Sequence, residues 1–182
     1  MNARNSMATY GGVARAFHWG MALLVLVSLA MIELRGWAPR GSVLRGSLRD
    51  WHSQAGLVVF ALVGFRLAWR LANVEPGIVP PPAAWQRHVA HAVEWTFYAL
   101  MLVLPVLGIV MMQADGKTVS LLGASLPPMV TVDKVRAHRL EDIHEWFGNA
   151  MMVLIAVHVG ASLWHRFVHR DNTLARMWGR TS

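Results

Sequence analysis

Long apolar runs alternate along the chain with short polar stretches rich in Gly and Pro. The first run covers residues 16–34, AFHWGMALLVLVSLAMIEL, and its one acid, Glu33, lies at the far end. The second covers 52–71 and carries Arg66 and Arg70 in its last turns, where long side chains can snorkel toward headgroups. The third covers 91–112 and the fourth 144 to about 167. Each is near the ~20 residues that cross the hydrocarbon core as a helix. The period-two alternation of a membrane strand is absent, which argues against a β-barrel. No small-x-small cleavage pattern follows the first run, so it reads as a retained helix rather than a signal peptide. The pattern predicts an all-α integral membrane four-helix bundle, antiparallel and up-down, as one domain over 1–182.

The connections support these boundaries. Residues 35–51 contain Gly36, Pro39, Gly41 and Gly46, and residues 73–87 contain Pro76 and the run Pro80-Pro81-Pro82. The longest loop, 113–143, contains Gly116, Gly123, Pro127 and Pro128. Trp19, Trp37, Trp51, Trp69, Trp85, Trp95, Trp146 and Trp164 lie near span ends, as an aromatic belt requires.

Composition sharpens the picture. Charged residues make up 15% of the 182, well below the roughly 25% of a soluble domain. The net charge is +7 and the pI about 11.2. Beside apolar spans, that balance points to headgroups, membrane topology or an anionic substrate rather than nucleic acid. The side bearing both termini carries nine Arg and the other side eight Lys and Arg, which places the termini inside by a narrow margin. The absence of Cys excludes disulfides, thiolate-held iron–sulfur clusters, a thiol nucleophile and covalent c-type haem. Any metal must be held by His, Met or carboxylate.

Histidines inside spans are costly and point to function. His18 lies near the start of the first span, on the terminal side. His52 opens the second and His144 the fourth, both on the far side. His158 is fourteen residues beyond His144, about 21 Å along a helix and within ~40° of the same face. His18 therefore matches His158 in depth, and His52 matches His144. Two bis-imidazole sites result, which suits two b haems, each iron held from above and below its plane. Zinc prefers four ligands, more than either pair supplies. Gly56, Gly148 and Ala22 each follow a candidate ligand by four residues and leave room on its face. For His88, His91, His138, His165 and His169 the plain reading is an interfacial residue, with His91 also a candidate for a cofactor edge or quinone pocket.

The pieces together resemble the prokaryotic cytochrome b561 family, and closely its small stand-alone members described as superoxide oxidases. They are His18-Trp19; Glu33, Arg35-Gly36 and Pro39-Arg40; His52 with Gly56; Arg66-Leu67 and Trp69-Arg70; Leu104-Pro105-Val106 with Gly108; Met111-Met112; and His144-Glu145 through His158 to Asp171-Asn172-Thr173-Leu174 and Arg176-Met177. The resemblance covers nearly the whole chain. It implies a four-helix membrane protein, which together with the basic-residue count is expected in the bacterial inner membrane with both termini cytoplasmic. It also implies two haem b groups on His18, His52, His144 and His158, and electron exchange with ubiquinone. Relatives carry a His about three residues after the position of His91, where this chain has Glu94, so any role of that His does not carry over.

The implied activity is superoxide:ubiquinone oxidoreductase. Superoxide is a small anion, and Arg35, Arg40, Arg45 and Arg49 flank the approach to His52, where positive charge would raise its encounter rate. Trp19 and His91 are candidates for the quinone site on the terminal side. The alternative is a quinol-linked cytochrome b subunit serving a partner dehydrogenase or hydrogenase, with the 113–143 loop as its docking surface.

Overall fold

A computed structural model describes residues 2–180. Four of its helices are long and apolar enough to cross a membrane. They are α1 (Gly12–Trp37), α2 (Val43–Leu71), α3 (Ala84–Ala114) and α4 (Lys134–Trp164). A π-helical turn, His165–His169, continues α4, and the short helix α5 (Thr173–Met177) follows it. Between α3 and α4, strands β1 (Ser120–Leu121) and β2 (Ala124–Ser125) form a small antiparallel hairpin, with Ser120 opposite Ser125 and Leu121 opposite Ala124. Its two-residue turn puts both Leu122 (φ 50°) and Gly123 (φ 89°) in the left-handed region, as a type I′ turn requires.

The helices outrun the apolar runs that announce them. α2 begins at Val43 rather than at His52, and α4 at Lys134 rather than at His144. Caps explain the extra turns, because they satisfy backbone donors that the interior of a membrane could not. Ser42 Oγ accepts the Arg45 N–H at 3.2 Å, and Asp133 Oδ1 accepts that of Arg136 at 3.0 Å. At the start of α3, Gln86 reaches back to accept the Ala83 N–H at 2.9 Å. α3 ends in a Schellman motif. Gly116, at φ 81°, donates to the Gln113 carbonyl, and Lys117 donates to that of Met112. His52 and His144 therefore do not open their helices. Each sits about two and a half turns inside one.

The chain divides into two compact units. One comprises Met1–Met21, Leu62–Tyr98 and Val153–Ser182; the other comprises Ala22–Ala61 and Ala99–Met152. The first gathers the start of α1, the end of α2, the start of α3 and the end of α4, and the second gathers the remaining halves. This alternation is what an up-down path produces.

In the first unit, polar bonds tie the segment before α1, the 72–83 linker and the tail together. Asn5 donates to the Val74 carbonyl at 2.9 Å, the Gly77 N–H to that of Met7 at 3.0 Å, and the Val79 N–H to Asn172 Oδ1 at 2.8 Å. The buried Arg176 donates to the Pro76 carbonyl and lies over the Tyr10 ring. In the second unit, Leu57, Ile109 and Val119 form a buried cluster, with Met112, Leu121 and Leu126 packed against it. Gln54 holds the hairpin down. It donates to the Ser120 carbonyl at 2.6 Å and accepts the Leu122 N–H at 3.0 Å.

Candidate functional site

The four span histidines come together as two pairs. In the first unit the His18 and His158 rings have centroids 6.3 Å apart and planes inclined at 55°. In the second, the His52 and His144 rings are 6.1 Å apart and inclined at 83°. A metal in line between two imidazole nitrogens, about 2.0–2.1 Å from each and with about 1.1 Å more to each ring centre, sets the centroids about 6.3 Å apart. Rotation about that line leaves the spacing unchanged, so both inclinations are compatible with it. Each pair has the spacing of a bis-imidazole metal site.

The surroundings of the outer pair fit a flat macrocycle. A Cβ placed on Gly56 or Gly148 meets nothing within 4 Å, so the positions one turn from His52 and His144 have room beside them. A Cβ on Gly108 would lie 3.5 Å from Cε1 of His144, so the α3 backbone lies against that ring. Nδ1–H of His52 donates to the Ser28 carbonyl at 2.9 Å, with Ser28 Oγ 3.0 Å away. That bond fixes the tautomer and leaves Nε2 with a lone pair free to ligate. Among the described residues, no three His, Asp or Glu side chains converge. Each donor set is a pair of imidazoles, which suits iron already held in a porphyrin better than tetrahedral zinc.

The terminal pair has a different setting. Trp19 meets His18 edge-on at 5.0 Å, and Phe97 meets His158 at 5.4 Å. Arg66 does not snorkel. Its Nη2 stands 3.4 Å from His18 Nδ1, and its guanidinium lies over the Tyr98 ring at 5.6 Å. Arg70 also stays inward, bonded to Glu94 and 3.7 Å from Glu75.

Residues 9–180 match the model of the family described as prokaryotic cytochrome b561. The chain belongs to that family. It is therefore a membrane b-type cytochrome. The chain is similar to cytochrome b561 homolog 1 of Escherichia coli (strain K12), 40% identical over 163 residues that cover 90% of this chain and 93% of the relative. It is 31% identical over 172 residues to the probable superoxide oxidase CybB of Yersinia pestis, covering 92% and 94%. It is 28% identical over 190 residues to cytochrome b561 homolog 2 of E. coli (strain K12), covering 100% and 97%.

In this cytochrome the other candidate residues are placed as follows. Trp19 lines a cavity of about 290 Å³ with Gly12, Arg15, Ala16, Met177 and Trp178. Its Nε1 donates to the Met177 carbonyl at 3.3 Å, and its ring packs on Trp178 at 4.9 Å. His91 is not among those lining residues; it lies half-exposed, 3.8 Å from Glu94. Of the four arginines near His52, Arg45 is engaged as a staple, donating to the Arg35 and Ala38 carbonyls at 2.7 and 3.0 Å. Arg49 pairs with Asp50 at 3.2 Å, Arg35 is half-buried and Arg40 is exposed.

Sequence reasoning passed over Ser28 and Gln54. Ser28 carried a signal, being a hydroxyl residue in the middle of an apolar run and one that ends up buried. Gln54 carried none, since its partners are backbone atoms of a loop distant in sequence.

Proposed function

We propose that this cytochrome is a superoxide:ubiquinone oxidoreductase of the bacterial inner membrane. In this reading it holds two b haems, with His18 and His158 on the terminal-side iron and His52 and His144 on the outer one. The observation that carries the reading is the recurrence of one imidazole spacing, 6.3 and 6.1 Å, in two separate pairs. The relative named a probable superoxide oxidase supports the substrate.

When bound, the haems supply reversible one-electron chemistry. The chain's residues bind, orient and exclude. His18 with His158, and His52 with His144, would hold the two haems, which would supply one-electron exchange without substrate binding to the metal. Two superoxide anions give up one electron each and leave as O₂, and ubiquinone takes both electrons with two protons. Arg40 and Arg35 supply positive charge on the outer side, aided by Arg45 and Arg49 to the extent that their local bonds leave them a field. Lys117 and Lys134 are committed locally. Lys117 and then Lys134 hold the Asp115 carboxyl at about 2. The quinone ring is assigned to the cavity at Trp19, with His91 outside it.

A second reading, an electron-transfer subunit that needs a protein partner, draws on the outer loop. Leu122, Met129 and Val132 there are 85%, 60% and 65% exposed. One experiment separates the two. The purified chain is loaded with haem, its reduced-minus-oxidised spectrum is quantified, and superoxide turnover with a soluble ubiquinone is followed without any partner. Two b haems per chain are expected. One is lost in both His18→Ala and His158→Ala, the other in both His52→Ala and His144→Ala. Turnover should fall as salt is raised. A loss pattern that crosses the pairs overturns the ligand map, and haem-loaded protein inert toward superoxide overturns the activity in favour of the second reading.

A further inference from the structure

The two imidazole pairs have opposite electrostatic settings. In the terminal pair, the Arg66 guanidinium stands beside His18, whose ring centroid lies 6.3 Å from that of His158. At 3.4 Å its approach to His18 is at the long end of hydrogen bonding, so its main effect is charge rather than a bond. Stacked over Tyr98 and inside a span, it keeps that charge in a low-dielectric setting. In the outer pair, His52 Nδ1–H donates to a backbone carbonyl, which makes the imidazole a stronger electron donor.

Both settings act on the charge of the iron that the imidazoles hold. A nearby cation favours the reduced form, which carries one positive charge less. A more basic ligand favours the oxidised form. We propose that Arg66 sets the terminal pair at a more positive potential than the outer pair, so that an electron entering the chain comes to rest beside Arg66. One electron is given up at the His52–His144 pair and taken up at the His18–His158 pair; no bond forms or breaks and no proton moves. Arg66 is a positioning residue that acts through His18 and His158. The inference rests on the dihaem reading above and adds a direction to it.

Redox titration of the haem-loaded chain, followed optically, tests this. The wild type should show two one-electron midpoints, the more positive surviving in His52→Ala and the more negative in His18→Ala. Arg66→Met should lower the upper midpoint by about tenfold in the oxidised-to-reduced ratio, about 59 mV for one electron, and leave the lower one in place. Arg66→Lys keeps the charge and should retain most of the upper midpoint, an outcome that loss of packing alone would not produce. A reversed assignment, a single merged midpoint, or an Arg66→Met chain with both haems and unshifted potentials overturns the inference. Should Arg66→Met fail to assemble, the wild-type order and Arg66→Lys still decide it. A wild type without haem overturns the dihaem reading itself, before any potential is measured.

Discussion

At the residue scale, one glycine ties α3 to the outer pair. The Cβ of an alanine at position 108 would rest 3.5 Å from His144 Cε1, an ordinary van der Waals distance. Gly108→Ala should therefore load haem like the wild type. Gly108→Val adds two methyl groups beyond that Cβ, and at least one must push into the ring or displace α3. Overpacking of this kind costs about 1–3 kcal/mol. The expected result is loss of the outer haem's share of the spectrum, with the terminal share intact. Equal spectra for the Val and Ala chains would show that His144 has slack. The sequence pointed to Gly108 only through the family pattern, because what makes it matter is the approach of a helix that follows a long loop. The four histidines were legible earlier, since depth along a helix follows from residue number alone. Ser28 and the inward turn of Arg66 depend on which helix faces which, and hydropathy does not encode that.

At the scale of elements, the apolar runs located all four spans but started each of them late, by four residues in α1, nine in α2, seven in α3 and ten in α4. Hydropathy falls where Arg45, Arg49 and Asp50 begin, yet the helix continues through them, because Ser42 caps it and the interface tolerates charge. The longest connection shrinks for the same reason: residues 115–133 lie between α3 and α4, where the apolar pattern had left 113–143. The tail shows what a single side chain does for an element. Asp171 Oδ2 accepts from His165 Nδ1–H at 2.5 Å, and Oδ1 accepts the Thr173 N–H at 2.8 Å, joining the π-helical turn to α5. Burial alone pushes the Asp171 carboxyl up, but the bonds from His165 and Thr173 outweigh it and hold the group below the usual carboxylate range. Its contribution to tail docking is thus fully present above about pH 4 and lost as pH falls through the lower, folded value. Asp171→Ala removes the bonds from His165 and from the Thr173 N–H, together worth about 2 kcal/mol. Hydrogen exchange at the α5 amides should accelerate in that variant at neutral pH and, in the wild type, only under acid. Unchanged α5 protection in Asp171→Ala would mean that Arg176, on Pro76 and Tyr10, holds the tail unaided.

At the scale of the whole molecule, the proposed activity depends on orientation, and nine basic residues against eight is too small a difference to carry it by count. Local bonding adds weight without changing the count. Lys117 and Lys134 are paired with Asp115, Arg49 with Asp50, and Arg45 with two carbonyls. Acids weigh little in the rule itself, so these pairings bear on steering more than on insertion. A direct test is simple in this chain, because it has no Cys. Ala8→Cys and Ser125→Cys each place one thiol on an exposed position, before α1 and at the end of the hairpin respectively. In intact cells with a permeable outer membrane, a membrane-impermeant maleimide should label Ser125→Cys at once and Ala8→Cys only after the inner membrane is opened. That outcome puts the hairpin toward the periplasm and the segment before α1 toward the cytoplasm. The opposite pattern would turn the molecule over. Arg66 would then draw electrons toward the periplasm, and superoxide generated inside the cell would be the donor to look for.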